Sequence, residues 1–280
     1  VTVGEVLAAA TAYLASRGLE HPRLDAEHLL ARSLGLQRLE LYTQHDRPLT
    51  EAERAAAREL VRRRGAREPL AYVLGDWDFR SLTLATDARA LVPRPETEVL
   101  VERCLALIES IEAPRIVDVG TGTGAIALAL AQEHPGARVT ATDVSPDALS
   151  LARENAERLG LEIELREGDL LAGLAGPFDL VVSNPPYVLP GELETLDPEV
   201  RDWEPRAALL DDGQTERLAH DAREALDGWL VVEVHEQRAA EVARFFEELS
   251  YAAVSISPDL AGRPRIVEGK WRARKTSNGR

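Results

Sequence analysis

Apolar residues near the start of the chain recur at helical spacing. Val3, Val6, Leu7, Ala10, Tyr13 and Leu14 form one stripe that stops at Gly18. A second stripe runs from Pro22 through Ala26, Leu29, Leu30 and Leu34 to Gly35. A third helix is expected after Thr50, which with Glu53 makes a capping-box pattern, and passes through Ala56 and Leu60 to Gly65. Residues 1–75 therefore read as a small helical bundle. Its last helix ends in Arg62, Arg63 and Arg64 with Arg67 just beyond, read as a solvated face favoured by a helix C-terminus, with an acidic or RNA partner as the alternative.

From about Tyr72 the period shortens to two, with Trp77, Phe79, Leu82 and Leu84 placed as in a hairpin. Residues 76–92 are the expected linker. Two prolines then fix an extended approach in Val92-Pro93-Arg94-Pro95-Glu96-Thr97-Glu98, before a new helix opens. So rigid a segment reads either as an active-site wall or as a structural brace.

After Pro114 strands alternate with helices, which predicts an α/β fold whose parallel sheet is covered on both faces, over residues 93–280. Arg115 to Val119 forms the first strand and runs into Gly120-Thr121-Gly122-Thr123-Gly124-Ala125, where glycines let backbone amides approach a ligand. A second strand, from Arg138, ends at Asp143, about 20 residues beyond the glycine loop, where a carboxylate can accept ribose hydroxyls. A third, Glu162 to Arg166, ends at Gly168-Asp169-Leu170; Asp169 would hold an adenine amine, or act as a turn acceptor, and Leu170 would lie on the ring. The fifth strand is expected from Trp229 to Val234, after a helix stopped by Gly228, and two more strands, Ala252 to Ser257 and Arg263 to Val267, close the sheet. The tail from Lys270 to Arg280 reads as basic and disordered.

The fourth strand carries the most chemistry. Asp179-Leu180-Val181-Val182-Ser183 is a buried β-branched run that halts at Asn184-Pro185-Pro186-Tyr187, because proline neither extends a sheet nor donates to it. Asn184 is expected as the last strand residue. Its side chain and the Pro185 carbonyl offer two acceptors at the open end of a sheet, beside the flat wall of Tyr187, a set suited to a planar NH2 group. Ligands of open α/β sheets sit beyond the carboxyl ends of the strands, so the glycine loop, Asp143, Asp169 and Asn184 should line one crevice. The segment after Tyr187, through Trp203-Glu204-Pro205-Arg206, reads as a lid.

Composition narrows the picture. The net charge of −15 over 280 residues argues against general attraction to nucleic acid or anionic membrane. One cysteine, Cys104, excludes an internal disulfide and fits a reducing compartment, and no Cys/His cluster suggests a metal. There is no long apolar run, and Val1-Thr2-Val3-Gly4-Glu5 lacks a signal-peptide layout, so a cytoplasmic protein is expected. The glycine loop alone also fits a nicotinamide-dependent reductase, but no proton-donating pair for a carbonyl substrate is visible near the strand ends.

Glycine loop, acidic second-strand end and Asn184-Pro185-Pro186-Tyr187 together resemble the class I S-adenosylmethionine-dependent methyltransferases that act on amine nitrogens. Pro93 to Glu98 and the helical N-terminus resemble, more narrowly, the peptide chain release factor glutamine methyltransferases of the HemK/PrmC family, a likeness that extends to Arg263-Pro264-Arg265. That resemblance implies a Rossmann-like, seven-stranded sheet with a small helical bundle, residues 1–75, that serves substrate recognition. It implies methyl transfer from S-adenosylmethionine, leaving S-adenosylhomocysteine, to the glutamine of the Gly-Gly-Gln loop in class I release factors, and so a role in translation termination. Gly120, Thr121, Gly122, Thr123, Gly124, Asp143, Asp169, Leu170 and Asn184 would hold the donor. Asn184, Pro185, Pro186 and Tyr187, with Arg94 and Glu96, would take the glutamine; neither DNA nor membrane is implied as a partner. Two positions depart from the family's pattern: Leu170, often aromatic, and Val234-His235-Glu236, where a glycine is usual. A DNA adenine-N6 methyltransferase and a non-catalytic adenosyl-ligand binder remain the alternatives at this point.

Overall fold

The computed structural model describes residues 1–272, so most of the expected basic tail lies outside the described residues. The chain forms two compact units, one of residues 1–77 with 196–203 and the other of 78–195 with 204–280.

In the first unit, α1 (Val3–Ser16), α2 (Pro22–Leu34) and α4 (Glu51–Gly65) are joined by two short helices, α3 (Glu40–Thr43) and α5 (Leu70–Leu74), that helical periodicity did not announce. Thr2 and Thr50 each close a capping box, with Glu5 and Glu53, so the first amides of α1 and α4 have side-chain acceptors. The core gathers Val3, Leu7, Leu14, Leu29, Leu30 and Leu41, all at most 2% exposed.

The arginine run at the end of α4 is a solvated face only in part: Arg62 is exposed, Arg63 and Arg67 are half-buried, and Arg64 is withdrawn from solvent. Arg64 is buried: its Nε donates to Asp25 at 2.7 Å, its Nη1 to the Glu68 carbonyl at 2.9 Å, and its Nη2 lies 2.8 Å from Glu199. Arg62 pairs with Glu59, Arg63 with Glu68, and Arg67 with Glu199 at 3.0 Å. Asp25 and Glu199, distant in sequence, thus occupy Arg64 and Arg67, while Arg62 and Arg63 pair with neighbours on and just after the same helix.

β1 (Asp76–Phe79) and β2 (Leu82–Ala85) form a two-stranded sheet. The second unit continues with α6 (Pro95–Ile108), β3 (Arg115–Val119), α7 (Ala125–Glu133), β4 (Arg138–Asp143), α8 (Pro146–Leu159), β5 (Glu164–Glu167) and β6 (Phe178–Ser183). After α9 (Pro198–Arg201), which belongs to the first unit, come α10 (Gln214–Ala225), β7 (Leu226–Glu233), α11 (Ala239–Glu248), β8 (Ala252–Pro258) and β9 (Pro264–Lys270). The seven strands run in the order β5-β4-β3-β6-β7-β9-β8; β5 to β7 are parallel, and β9 is inserted antiparallel between β7 and β8. Buried residues of α6, α7 and α8 cover one face of this sheet, and those of α10 and α11 the other, as strands hydrophobic on both sides require.

Several strand boundaries differ from expectation, β9 running Pro264–Lys270 rather than Arg263 to Val267, and two of the differences have a cause in the neighbouring strand. β7 begins at Leu226 rather than Trp229, and Gly228 lies within the strand. A side chain there would collide with the Asp179 carbonyl of β6, so the glycine serves close strand approach rather than ending a helix. The β5 strand is shifted to Glu164–Glu167, the four residues that pair with Thr140 to Asp143 of β4.

Candidate active site

β3, β4 and β6 end at adjacent points of the sheet, and a crevice of about 510 Å³ opens beyond them. Of the residues expected there, Gly120, Thr121, Gly122, Thr123, Asp143, Asp169, Leu170, Asn184, Pro185, Pro186 and Arg94 line it. Gly124, Tyr187 and Glu96 do not. Gly124 has φ 85° and packs so that a Cβ would lie 3.0 Å from Leu128 Cδ1 and 3.3 Å from Ala152 Cβ; it lets α7 and α8 close behind the loop.

The loop is held from several directions. Asp143 Oδ2 accepts the Gly122 amide at 3.0 Å, and its Oδ1 accepts Ser145 N–H at 2.9 Å. Each oxygen keeps a further lone pair for a ligand. Asn155, fully buried on α8, was not singled out by its sequence pattern. Its Oδ1 accepts Ala85 N–H at 2.6 Å, while Nδ2 donates to the Ala85 and Thr123 carbonyls at 3.1 and 2.9 Å. Beneath the loop, Asp118 Oδ2 accepts from Thr121 Oγ1 at 2.6 Å and Ala127 N–H at 3.2 Å. Burial pushes the Asp118 carboxyl up to about 7, against those two hydrogen bonds, with the Asp143 charge adding to the rise.

Asp169 is exposed and its Oδ2 accepts from Arg217 Nη1 at 3.0 Å; Arg217, on α10, also reaches Asp212 at 3.2 Å. Leu170 is 9% exposed with φ 52°, and its carbonyl accepts from Thr142 Oγ1 at 3.1 Å.

Asn184 is not the last strand residue: β6 stops at Ser183, whose ladder partners are Val119 of β3 and Val232 of β7. The next position on β3 is Gly120, which turns away with φ 74°, so Asn184 has no strand beside it there. Ser183 Oγ donates to the Val119 carbonyl at 2.7 Å, tying the two strand ends together. Asn184 Nδ2 donates to Thr97 Oγ1 at 3.2 Å, and Thr97 Oγ1 in turn donates to Glu233 Oε2 at 2.8 Å. Thr97 is 4% exposed and Glu233 1%. Burial pushes the Glu233 carboxyl up to about 7, opposed by the Thr97 bond and by Arg265 and Arg94.

Arg94 lines the crevice and also braces it, pairing at 2.6 Å with Glu204, so both readings of its proline-flanked segment apply. Glu96 faces elsewhere, accepting from Arg263, which is fixed in turn by Asp259. The Arg265 guanidinium lies 6.0 Å from the centre of the Tyr187 ring, and burial raises the Tyr187 phenol above its usual range. Of the segment read as a lid, Pro205 and Arg206 line the crevice, as do Ala207 and Ala208 just beyond it, whereas residues 196–203 belong to the first unit.

No helix among the described residues is long and apolar enough to cross a membrane. The PrmC N-terminal domain family matches residues 5–75 and the methyltransferase small domain family residues 96–196. The chain is 42% identical over 278 residues to the release factor glutamine methyltransferase of Geobacter sulfurreducens, covering 96% of each chain. It is 43% identical over 272 residues to that of Deinococcus radiodurans, covering 95% of this chain and 97% of the relative. Among solved structures, a methyltransferase from Pyrococcus furiosus superposes with a TM-score of 0.51 at 19% identity, over 70% of this chain and 91% of that one. The 16S rRNA N2 G1207 methyltransferase of Thermus thermophilus does so with 0.53 at 17% identity, over 70% and 50%. Those two likenesses carry the fold; near-full-length identity above 40% carries more, and the chain belongs to the release factor glutamine methyltransferase family.

Proposed function

We propose that this protein transfers a methyl group from S-adenosylmethionine to the side-chain amide nitrogen of the glutamine in the Gly-Gly-Gln loop of class I release factors. The observation that carries the reading is the Asn184 amide: its Nδ2 is committed to Thr97, which turns Oδ1, an acceptor, away from that bond at the proline corner.

The crevice suits the donor. A Cβ on Gly120 would meet nothing within 4 Å, so open space adjoins the loop backbone, and a nucleoside can approach its amides. The spare lone pairs of Asp143 suit ribose hydroxyls, while Asp169 and Leu170 suit an adenine edge and face. When bound, the donor supplies an electrophilic methyl on a sulfonium. Toward the acceptor, Asn184 Oδ1 and the Pro185 carbonyl take both N–H groups of the glutamine amide. An amide nitrogen is a poor nucleophile because its lone pair is delocalised; two acceptors orient it and favour the positive charge that develops there. Pro186 and Arg94, which line the crevice, exclude water and hold the wall, and Tyr187 stands behind them rather than in the crevice. The proton leaves after transfer, because the methylated nitrogen is strongly acidic, and no dedicated base is needed.

Mass spectrometry of tryptic peptides from a purified class I release factor, incubated with S-adenosylmethionine and this protein, tests the reading. One glutamine peptide is expected to gain the mass of a methylene. Asn184→Ala should slow that gain about a hundred-fold or more while still binding the donor. No gain with the wild-type protein, or an unslowed gain with the variant, overturns it.

A further inference from the structure

We propose that Thr97 and Glu233 are positioning residues for the transfer: a relay from Glu233 through the Thr97 hydroxyl decides which end of the Asn184 side chain faces the crevice. The inference rests on the glutamine reading above and extends it to two residues that the opening pattern at the proline corner does not contain.

An asparagine side chain is nearly symmetric in shape, so packing alone does not choose between its oxygen and its nitrogen. Hydrogen-bond polarity does. The Thr97 hydroxyl has a single hydrogen, and it is given to Glu233 Oε2 at 2.8 Å. Toward Asn184 the hydroxyl can then only accept, and the group it meets at 3.2 Å is Nδ2. Oδ1 is left for the substrate. The ordering begins at Glu233, which as a carboxylate has no hydrogen to give. Once protonated, Glu233 can donate to Thr97; the hydroxyl hydrogen is then released, can serve Asn184 Oδ1, and the amide is free to turn its donor end toward a substrate that itself only donates.

The surroundings of Glu233 set where this occurs. Arg265 on β9 and Arg94 before α6 favour its charged form, while burial, the largest influence, and Glu96 on α6 oppose it. The Tyr187 phenol, past the end of β6, is coupled to the same carboxylate. The balance places the change close to neutrality, so turnover should fall as pH drops through about 7.

The test compares wild-type protein with Thr97→Val, Thr97→Ser and Glu233→Gln, using a purified class I release factor and S-adenosylmethionine across this pH range. Thr97→Val is expected to lower kcat roughly ten- to a hundred-fold with the KM for the donor unchanged, and Thr97→Ser to recover most of the loss. Glu233→Gln should lose the acidic limb of the kcat profile. In parallel, the side-chain NH2 signals of Asn184 in 15N spectra, identified by their absence in Asn184→Ala, should titrate with a midpoint near 7 in the wild type and not in Glu233→Gln. Wild-type kcat in Thr97→Val, or an unchanged acidic limb or NH2 titration in Glu233→Gln, overturns the relay. If Glu233→Gln does not fold, the two Thr97 variants and the wild-type titration decide. If the wild-type protein methylates no release factor, the function reading has failed, and the NH2 titration still reports on the relay.

Discussion

Asn155 offers a sharp test of how the glycine loop is held. Substitution by aspartate changes one atom group and almost no volume. It preserves the oxygen that accepts Ala85 N–H at 2.6 Å and replaces the nitrogen that donates to the Ala85 and Thr123 carbonyls by a second acceptor. Two carbonyls then face an oxygen in a site with no solvent exposure. Each lost bond costs about 1 kcal/mol net, and a buried carboxylate with too few donors costs several more, so a destabilisation of about 3–5 kcal/mol is expected. In a unit of roughly two hundred residues that corresponds to a melting temperature lower by on the order of 10 °C. Scanning calorimetry of Asn155→Asp and Asn155→Leu at mildly alkaline pH measures it, and titration calorimetry with S-adenosylmethionine reads the effect on the loop through Thr123. Asn155→Leu also loses the accepted bond but adds no charge, so it should be the milder variant. An Asn155→Asp protein within about 1 kcal/mol of wild type would refute the account.

Arg64→Met should cost the bundle about 3 kcal/mol, because it strands the Asp25 carboxylate; Glu199 keeps Arg67 at 3.0 Å, which limits the loss. Adding Asp25→Asn should return part of it in urea titrations, and full additivity of the two changes would contradict the pairing. Asp118 holds its proton up to about 7 when folded, whereas an unfolded aspartate releases it near 3.8, so unfolding releases a proton across that window. Stability should therefore decline as pH rises toward 7, by up to about 1.4 kcal/mol per pH unit from this group, and level off above. Asp118→Asn should show a shallower decline than wild type, the remainder coming from Glu233; parallel curves would exclude the burial effect.

The features legible in the sequence are those written locally. Consecutive prolines stop β6 wherever the rest of the chain goes, glycines mark the loop before α7, and a threonine with a glutamate three positions on caps α4. What escaped depends on partners far apart in the chain. Asn184 finds Thr97 across 87 positions and Thr97 finds Glu233 across 136, so neither the relay nor its polarity has a local signature. Asn155 reads as one more polar residue on an amphipathic helix, and only the arrival of Ala85 and Thr123 makes it a clamp. The arginines closing α4 looked like a free basic face for the same reason: Asp25 and Glu199 are brought to Arg64 by folding, not by adjacency. Strand ends slipped by one to three residues where a neighbour, rather than propensity, decides, as at Asn184, where Gly120 removes the adjoining strand.

Ser183 grips Val119 across neighbouring strands, and this has a consequence for how tolerant the enzyme is of change. Parallel strands keep about 4.8 Å between them whatever their side chains, so the gap separating the glycine turn from the asparagine corner is inherited from the main chain. On the proposed reading, remodelling of the outer walls can alter which polypeptide gains entry, yet the reach across which the transferred carbon must travel stays the same.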